Sequence, residues 1–253
     1  MQNAQTFIAD WPKIDAVHGW LSREAAALMD FLFAGQLQLG TPLAGLLEIG
    51  VWKGRTSALM ARHLRSGEGI WLVDSAPQQT EITQSLQSVV GERFNQLSIQ
   101  LVPGTAREAR RSLGDKCFRY IHIDGEHTAA ALRGDLALSL QVLEPAGLIV
   151  IDDIFNDLYP QLSRGLFAFL DQEGRDLACV LTGFNKAVLC HTRFMDAYGD
   201  LIYENLHAEM AARQVPVTLC RTTNRVEWPG YSVVSYIGIP RRGPDYQMQY
   251  LRT

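Results

Sequence analysis

Two short acidic runs follow apolar stretches in this chain: Asp124-Gly125-Glu126-His127 after FRYIHI, and Asp152-Asp153 after GLIVI. If those stretches are neighbouring parallel strands, both runs open into one cleft. Three or four carboxylates gathered there repel one another unless a positive charge sits among them. A hard divalent cation such as Mg²⁺ is a natural neutraliser, because it prefers carboxylate, amide and water oxygens. The expected metal ligands are Asp124, Asp152 and Asp153, with Asn156 as a further oxygen donor. In the competing reading one aspartate caps a helix and another holds a ligand's amino group. His127 is the candidate general base and Asp124 its catalytic neighbour, since imidazole titrates near neutrality and can take a proton from a hydroxyl. A histidine in this place can equally be a substrate contact or decorate the start of a helix.

A second group of residues is suited to holding a nucleotide-like ligand. Glu48-Ile-Gly50-Val-Trp-Lys-Gly54 follows an apolar run. Gly50 allows a sharp turn there, and Gly54 allows the next helix to start close to a ligand. The GxxxG spacing departs from the GxGxxG pattern of nicotinamide and flavin enzymes. Asp74 lies 26 residues after Glu48, at the end of a second apolar run. A carboxylate there either accepts hydrogen bonds from two ribose hydroxyls or caps a turn. Gly104-Thr105-Ala106 offers small side chains and backbone groups where an adenine can lie.

The elements that must position these residues follow a strand–helix rhythm. Apolar runs at 43–51, 69–76, 97–104, 118–127 and 147–155 alternate with helical patterns. Five strands over about 130 residues predict a parallel sheet with right-handed crossovers. Residues 178–192 hold two apolar runs separated by Gly-Phe-Asn-Lys, a connection short enough only for a hairpin. The sheet is therefore expected to end on an antiparallel strand at 186–191. Ser22 is the expected N-cap of a helix over SREAAALMDFLFAGQLQLG. Residues 1–20 show little periodicity and read as a leading arm. A helix over 193–214 and two strands, VPVTLCRTT and YSVVSYIGI, complete the pattern. The fold class expected is α/β: a doubly wound, mostly parallel sheet with an antiparallel terminal strand and N- and C-terminal extensions. The division is 1–40, a core of 41–192, and 193–253.

The motifs LLEIGVWKGRTS, IWLVDSA, YIHIDGEH and GLIVIDD occur in the order and spacing of the class I S-adenosylmethionine-dependent methyltransferases, which this sequence resembles over residues 19–191. The segments GWLSRE and GFNKAVLC narrow the resemblance to bacterial small-molecule O-methyltransferases. The resemblance implies Glu48 and Gly50 beside the methionine part of the donor, Asp74 on its ribose, Thr105 and Ala106 on its adenine, and Asp124 facing the reaction centre. In metal-dependent catechol-type relatives the position of His127 carries a basic catalytic side chain. Lys53 departs from the glycine often found at its position. The implied reaction is an in-line displacement in which a hydroxyl loses its proton while it attacks the methyl group. A coordinated cation would ease that loss. The other readings are a metal-independent methyltransferase, a nicotinamide-binding oxidoreductase and a non-catalytic fold relative.

Bulk properties narrow the partners. The net charge of −4 gives no overall pull toward nucleic acid or an anionic membrane. The expected partner is a small hydroxylated metabolite. Cys117, Cys179, Cys190 and Cys220 form no CxxC pair, which fits reduced thiols in a cytoplasmic protein. The start, MQNAQTFIAD, lacks the pattern of a signal peptide. Trp52, Tyr159, Trp228, Tyr231 and Tyr236 either line a substrate pocket or pack the core. His122, inside an apolar run, reads as a packed core residue. The two extensions either cover the cleft or form a homo-oligomer interface.

Overall fold

The structure is a computed structural model that describes residues 2–222, 230–234 and 251–252. Two helices, α1 (Gln2–Ala16) and α2 (Arg23–Gln38), precede the first strand. Then β1 (Gly45–Ile49), α3 (Arg55–Ala61), β2 (Gly69–Asp74), α4 (Gln79–Val90), β3 (Ser98–Pro103) and α5 (Ala106–Leu113) alternate. The alternation continues through β4 (Phe118–Ile123), α6 (Ala129–Val142), β5 (Leu143–Ile151) and α7 (Pro160–Gln172). After β6 (Leu177–Gly183) and β7 (Lys186–His191) come α8 (Met195–Leu201), a π-helical stretch over Ile202–Leu206 and α9 (His207–Ala212). Strands β8 (Thr218–Thr222), β9 (Gly230–Val234) and β10 (Leu251–Arg252) follow.

The strands form one sheet in the order β3-β2-β1-β4-β5-β7-β6-β9-β8-β10. The first five run parallel, and the order reverses between β1 and β4, where ligands bind in open α/β sheets. Strand β7 is antiparallel, as expected, but it does not end the sheet: it lies between β5 and β6. All but its last residue are buried, so it needs a neighbour on each edge, and the hairpin supplies β6 as the second. Beyond β6 the sheet continues through β9, β8 and β10. Among the described residues, no helix is long and apolar enough to cross a membrane.

Residues 1–20 are not an arm. Helix α1 buries Ala4, Phe7 and Ile14. Pro12 lies inside it and obscures the helical pattern, yet proline removes one backbone donor while burial of those side chains remains favourable. Ser22 caps α2 as expected, accepting from the Ala25 amide.

Each face of the sheet carries its own core, and side chains alternate between them with period two. Leu46, Ile70, Leu72, Tyr120, Leu148, Val150 and Val188 face a layer that includes side chains of α1 to α4, α8 and α9. Leu47, Val73, Ile121, Ile149 and Leu189 face the layer of α5, α6 and α7. Glu48, Asp74, His122 and Lys186 fall on the first alternation, at or near the same edge of the sheet, and Asp124 and Asp152 continue it one residue past their strands. One period-two pattern thus brings six charged side chains to one rim.

Candidate active site

The strand tips are joined edge to edge by backbone hydrogen bonds. The Gly50 amide donates to the Val73 carbonyl, Gly104 to Asp74, Asp124 to Ile49 and Asp152 to Ile123. A cavity of about 1120 Å³ opens over this row of tips. Gly50 is required there for two reasons. Its φ is +86°, and a Cβ would sit 1.8 Å from the Asp124 carbonyl oxygen. Gly54 plays a different part from the one expected: it faces Ile82 and Leu86 of α4 rather than the cavity. The turn closes with left-handed residues at 50, 52 and 54, so no glycine is needed at Lys53. Trp52, at φ +45°, is stacked on Trp20 with ring centroids 4.2 Å apart.

At the end of the cavity formed by β1 to β3, the side chains mostly hold backbone. One oxygen of Asp74 accepts from the amides of Val51 and Trp52, at 2.9 and 3.0 Å, and the other from Ala76. Three of the roughly four acceptor positions of this carboxylate are thereby used. Asp74 lines the cavity, and it also locks the Gly50–Gly54 turn. Thr105 caps α5 in a reciprocal box with Glu108, while Ala106 leaves a smooth wall beside it.

At the other end the side chains hold one another. The buried carboxylate of Glu48 accepts from the Ser57 hydroxyl and faces His122 Nδ1 at 3.3 Å. His122 Nε2 lies 3.8 Å from Asp152, whose Oδ2 accepts from Lys186 Nζ at 2.5 Å. Burial opposes charge on His122, but Asp152 and Glu48 outweigh it and lift the imidazole to about 9. His122 is packed, as read, and it is also an ionic partner. Burial likewise opposes charge on Asp152, yet Lys186 and His122 hold it well below the usual carboxylate range.

Of the three expected metal ligands, Asp152 is the one this pairing engages. Asp152 is already neutralised by Lys186, and it does not join the group that the structure brings together: one ligand atom each from Asp124, His127 and Asp153, all within 4.8 Å of one another. His127 Nε2 lies 2.9 Å from Asp153 and 3.8 Å from Asp124, and its ring stacks on Tyr159 at 4.2 Å. Asp153 turns away from its neighbour because its φ is +55°. Burial, with the Asp152 charge beside it, lifts Asp124 to about 6. Asn156 is tied into the same loop: its Oδ1 accepts from the Leu158 amide, and its Nδ2 donates to Asp153.

Residues 47–154 match a family model described as a methyltransferase domain. That stretch is an S-adenosylmethionine-dependent methyltransferase domain. Solved structures share its fold. The O-methyltransferase NovP is 14% identical, with a TM-score of 0.54 over 67% of this chain and 81% of its own. Cofactor-bound Rv0187 from MTB is 18% identical, with a TM-score of 0.55 over 74% and 89%. A putative O-methyltransferase from Klebsiella pneumoniae is 18% identical, with a TM-score of 0.51 over 74% and 88%. No curated protein matches.

Several cavity residues of this methyltransferase escaped the sequence reading. Lys186 is the clearest case, with a signal that was available: a lysine opening the otherwise apolar KAVLCH run, directly after a Gly-Phe-Asn turn. Phe184 and Asn185 both have positive φ, the pattern of a type I′ turn, which sets Lys186 at the cavity wall. Trp20 is 85% exposed at the cavity mouth. Asp135 also lines the cavity, and it reads in sequence as an ordinary polar residue of a helix. Tyr159 and Trp52 line the cavity, whereas Tyr231 packs near Tyr203. Trp228 and Tyr236 lie outside the described residues.

Proposed function

We propose that this methyltransferase acts on a hydroxyl oxygen of a small metabolite, with His127 as general base. The observation that carries this reading is the His127–Asp153 pair, 2.9 Å apart, in the same cavity as the Gly50 turn. Two fold neighbours are named as O-methyltransferases, in keeping with it. S-adenosylmethionine, when bound, supplies an activated methyl group on a sulfonium. Glu48 and Gly50 would lie by its methionine part, Asp74 by its ribose, and Thr105 and Ala106 by its adenine.

The residues of the chain do the remaining work. His127 takes the proton of the acceptor hydroxyl as the oxygen–methyl bond forms and the methyl–sulfur bond breaks. Asp153 orients the imidazole and stabilises its protonated form, and Tyr159 fixes the plane of the ring. Lys186 keeps Asp152 ionised without repulsion. It uses one of its three N–H donors on Asp152, which leaves the others for an acceptor oxygen.

A second reading has a specific observation in its favour. The carboxylates of Asp124 and Asp153 with the His127 imidazole converge closely enough to hold a divalent cation such as Mg²⁺, which would lower the pKa of an acceptor hydroxyl. The two readings separate in one assay: labelled S-adenosylmethionine with a panel of phenols, sugars and other hydroxylated metabolites, with and without chelator. Label transfer that survives chelation is expected. Transfer abolished by chelator and restored by Mg²⁺ selects the metal reading, and absence of donor binding contradicts both.

A further inference from the structure

The loop that joins β5 to α7 carries more than a base needs for support. Leu158 lines the cavity and yet is 76% exposed. The next residue, Tyr159, also lines the cavity and stacks on His127, so an apolar lip begins at the base itself. Phe155, three residues before Leu158, is 53% exposed, and its ring lies 6.2 Å from that of Phe167 on α7, which is 49% exposed. Large apolar side chains left in water beside a cavity mark a binding surface.

The same loop offers an acceptor few polar contacts. Asp152 is paired with Lys186, Asp153 with His127 and Asn156, and Asn156 with Asp153 and the Leu158 amide. The β6–β7 turn stands against this loop, because the Ile154 amide donates to the Asn185 carbonyl, and Phe184 of that turn lines the cavity as well. A sugar laid on Leu158, Tyr159 and Phe184 would strip water from its hydroxyls without replacing their hydrogen bonds. An aromatic ring with an apolar substituent pays no such penalty and gains ring contacts with Tyr159 and Phe184. The exposed parts of Phe155, Leu158 and Phe167 amount to roughly 300–400 Å², taking side chains of about 150–250 Å² each. A stable dimer buries about 800 Å² per partner, so the lip fits a ligand's substituent better than a second copy of the chain.

We propose that the methyl acceptor is a phenol bearing an apolar substituent, and that Leu158, Tyr159 and Phe184 form its subsite. The inference rests on the hydroxyl-methylating reading above and adds the class of acceptor. The phenolic oxygen meets His127 and Lys186, the ring lies along Tyr159, and the substituent covers Leu158. The proton passes to His127 and the methyl group from sulfur to oxygen, as already described.

Calorimetric titration of the full chain, saturated with S-adenosylhomocysteine, with phenol, 4-ethylphenol, 4-butylphenol and methyl glucoside tests this. Affinity is expected to rise about 2-fold per added methylene, as for a chain half removed from water. The glucoside is expected to bind at least 10-fold more weakly than 4-butylphenol. In Leu158→Ser, which alters an exposed side chain, the dependence on chain length should flatten. Phenols that do not bind, an affinity independent of chain length, a glucoside that binds as tightly, or an unchanged gradient in Leu158→Ser each overturn the proposal. So does a wild-type dimer that Leu158→Ser dissociates while the phenols show no gradient, which assigns the lip to a second copy. A gradient that Leu158→Ser flattens, without label transfer from S-adenosylmethionine to any of these phenols, supports the subsite and contradicts the hydroxyl-methylating reading.

Discussion

The two ends of the cavity are built by opposite means. Where β1, β2 and β3 end, side chains serve the backbone: Asp74 holds three amides, Thr105 caps a helix, and Gly50 lets a strand tip pass against the Asp124 carbonyl. Where β4 and β5 end and β7 begins, side chains serve one another, through Glu48, His122, Asp152 and Lys186 and through Asp124, His127 and Asp153. The first end is a shaped surface that reads a ligand by contact. The second is a charge arrangement whose balance is set inside the protein. A lysine and a histidine already supply much of the positive charge that the carboxylates require, so the number of acidic groups alone does not call for a metal.

That contrast can be broken from either side. Gly50→Ala strikes both ends at once, because the added methyl meets the Asp124 carbonyl at a backbone angle that alanine disfavours. A loss of roughly 4 kcal/mol or more is expected, read as a collapse of the melting temperature or of soluble yield. Unaltered melting would show that the tips are not locked together.

Lys186→Met strikes only the charged end. It leaves Asp152 buried without its partner, at a cost of about 3–5 kcal/mol, and methyl transfer is expected to fall with it. The double variant Lys186→Met, Asp152→Leu should melt well above Lys186→Met alone. If it does not, the lysine contributes through packing and not through charge.

Asp135→Asn gives a smaller effect of opposite sign. The folded pKa of this acid is raised, to about 7, so the folded state binds more protons than the unfolded state between the two values. Stability therefore falls as pH rises from about 4 through 7. In the absence of ligand, the asparagine variant should be the more stable at pH 8, by about 1 kcal/mol or more, with the difference vanishing near pH 4. A wild type whose melting is flat over this range would contradict that. Thr105→Ala is the mildest, removing one helix cap for about 1 kcal/mol.

Much of the first end was legible in the sequence. Gly50 after an apolar run, an acid after the next and small residues after the third are local patterns, and each lines the cavity, whereas Gly54 faces α4. The helix α1 was missed because Pro12 masks its periodicity, although its burial is decided by contacts with later elements. The charged end was legible in position but not in pairing. Asp152 and Asp153 are adjacent, yet one faces Lys186 and the other His127, because a left-handed residue redirects the chain between them. Lys186 reaches Asp152 only because β7 inserts beside β5, a register that no local pattern encodes.

The central claim is that His127 removes the acceptor's proton while the rest of the site holds the donor. It is tested most directly by measuring, for His127→Ala, both donor affinity by calorimetry and turnover under saturating donor. Unchanged affinity with turnover reduced ~10²-fold or more is the predicted outcome. Turnover equal to wild type would contradict it.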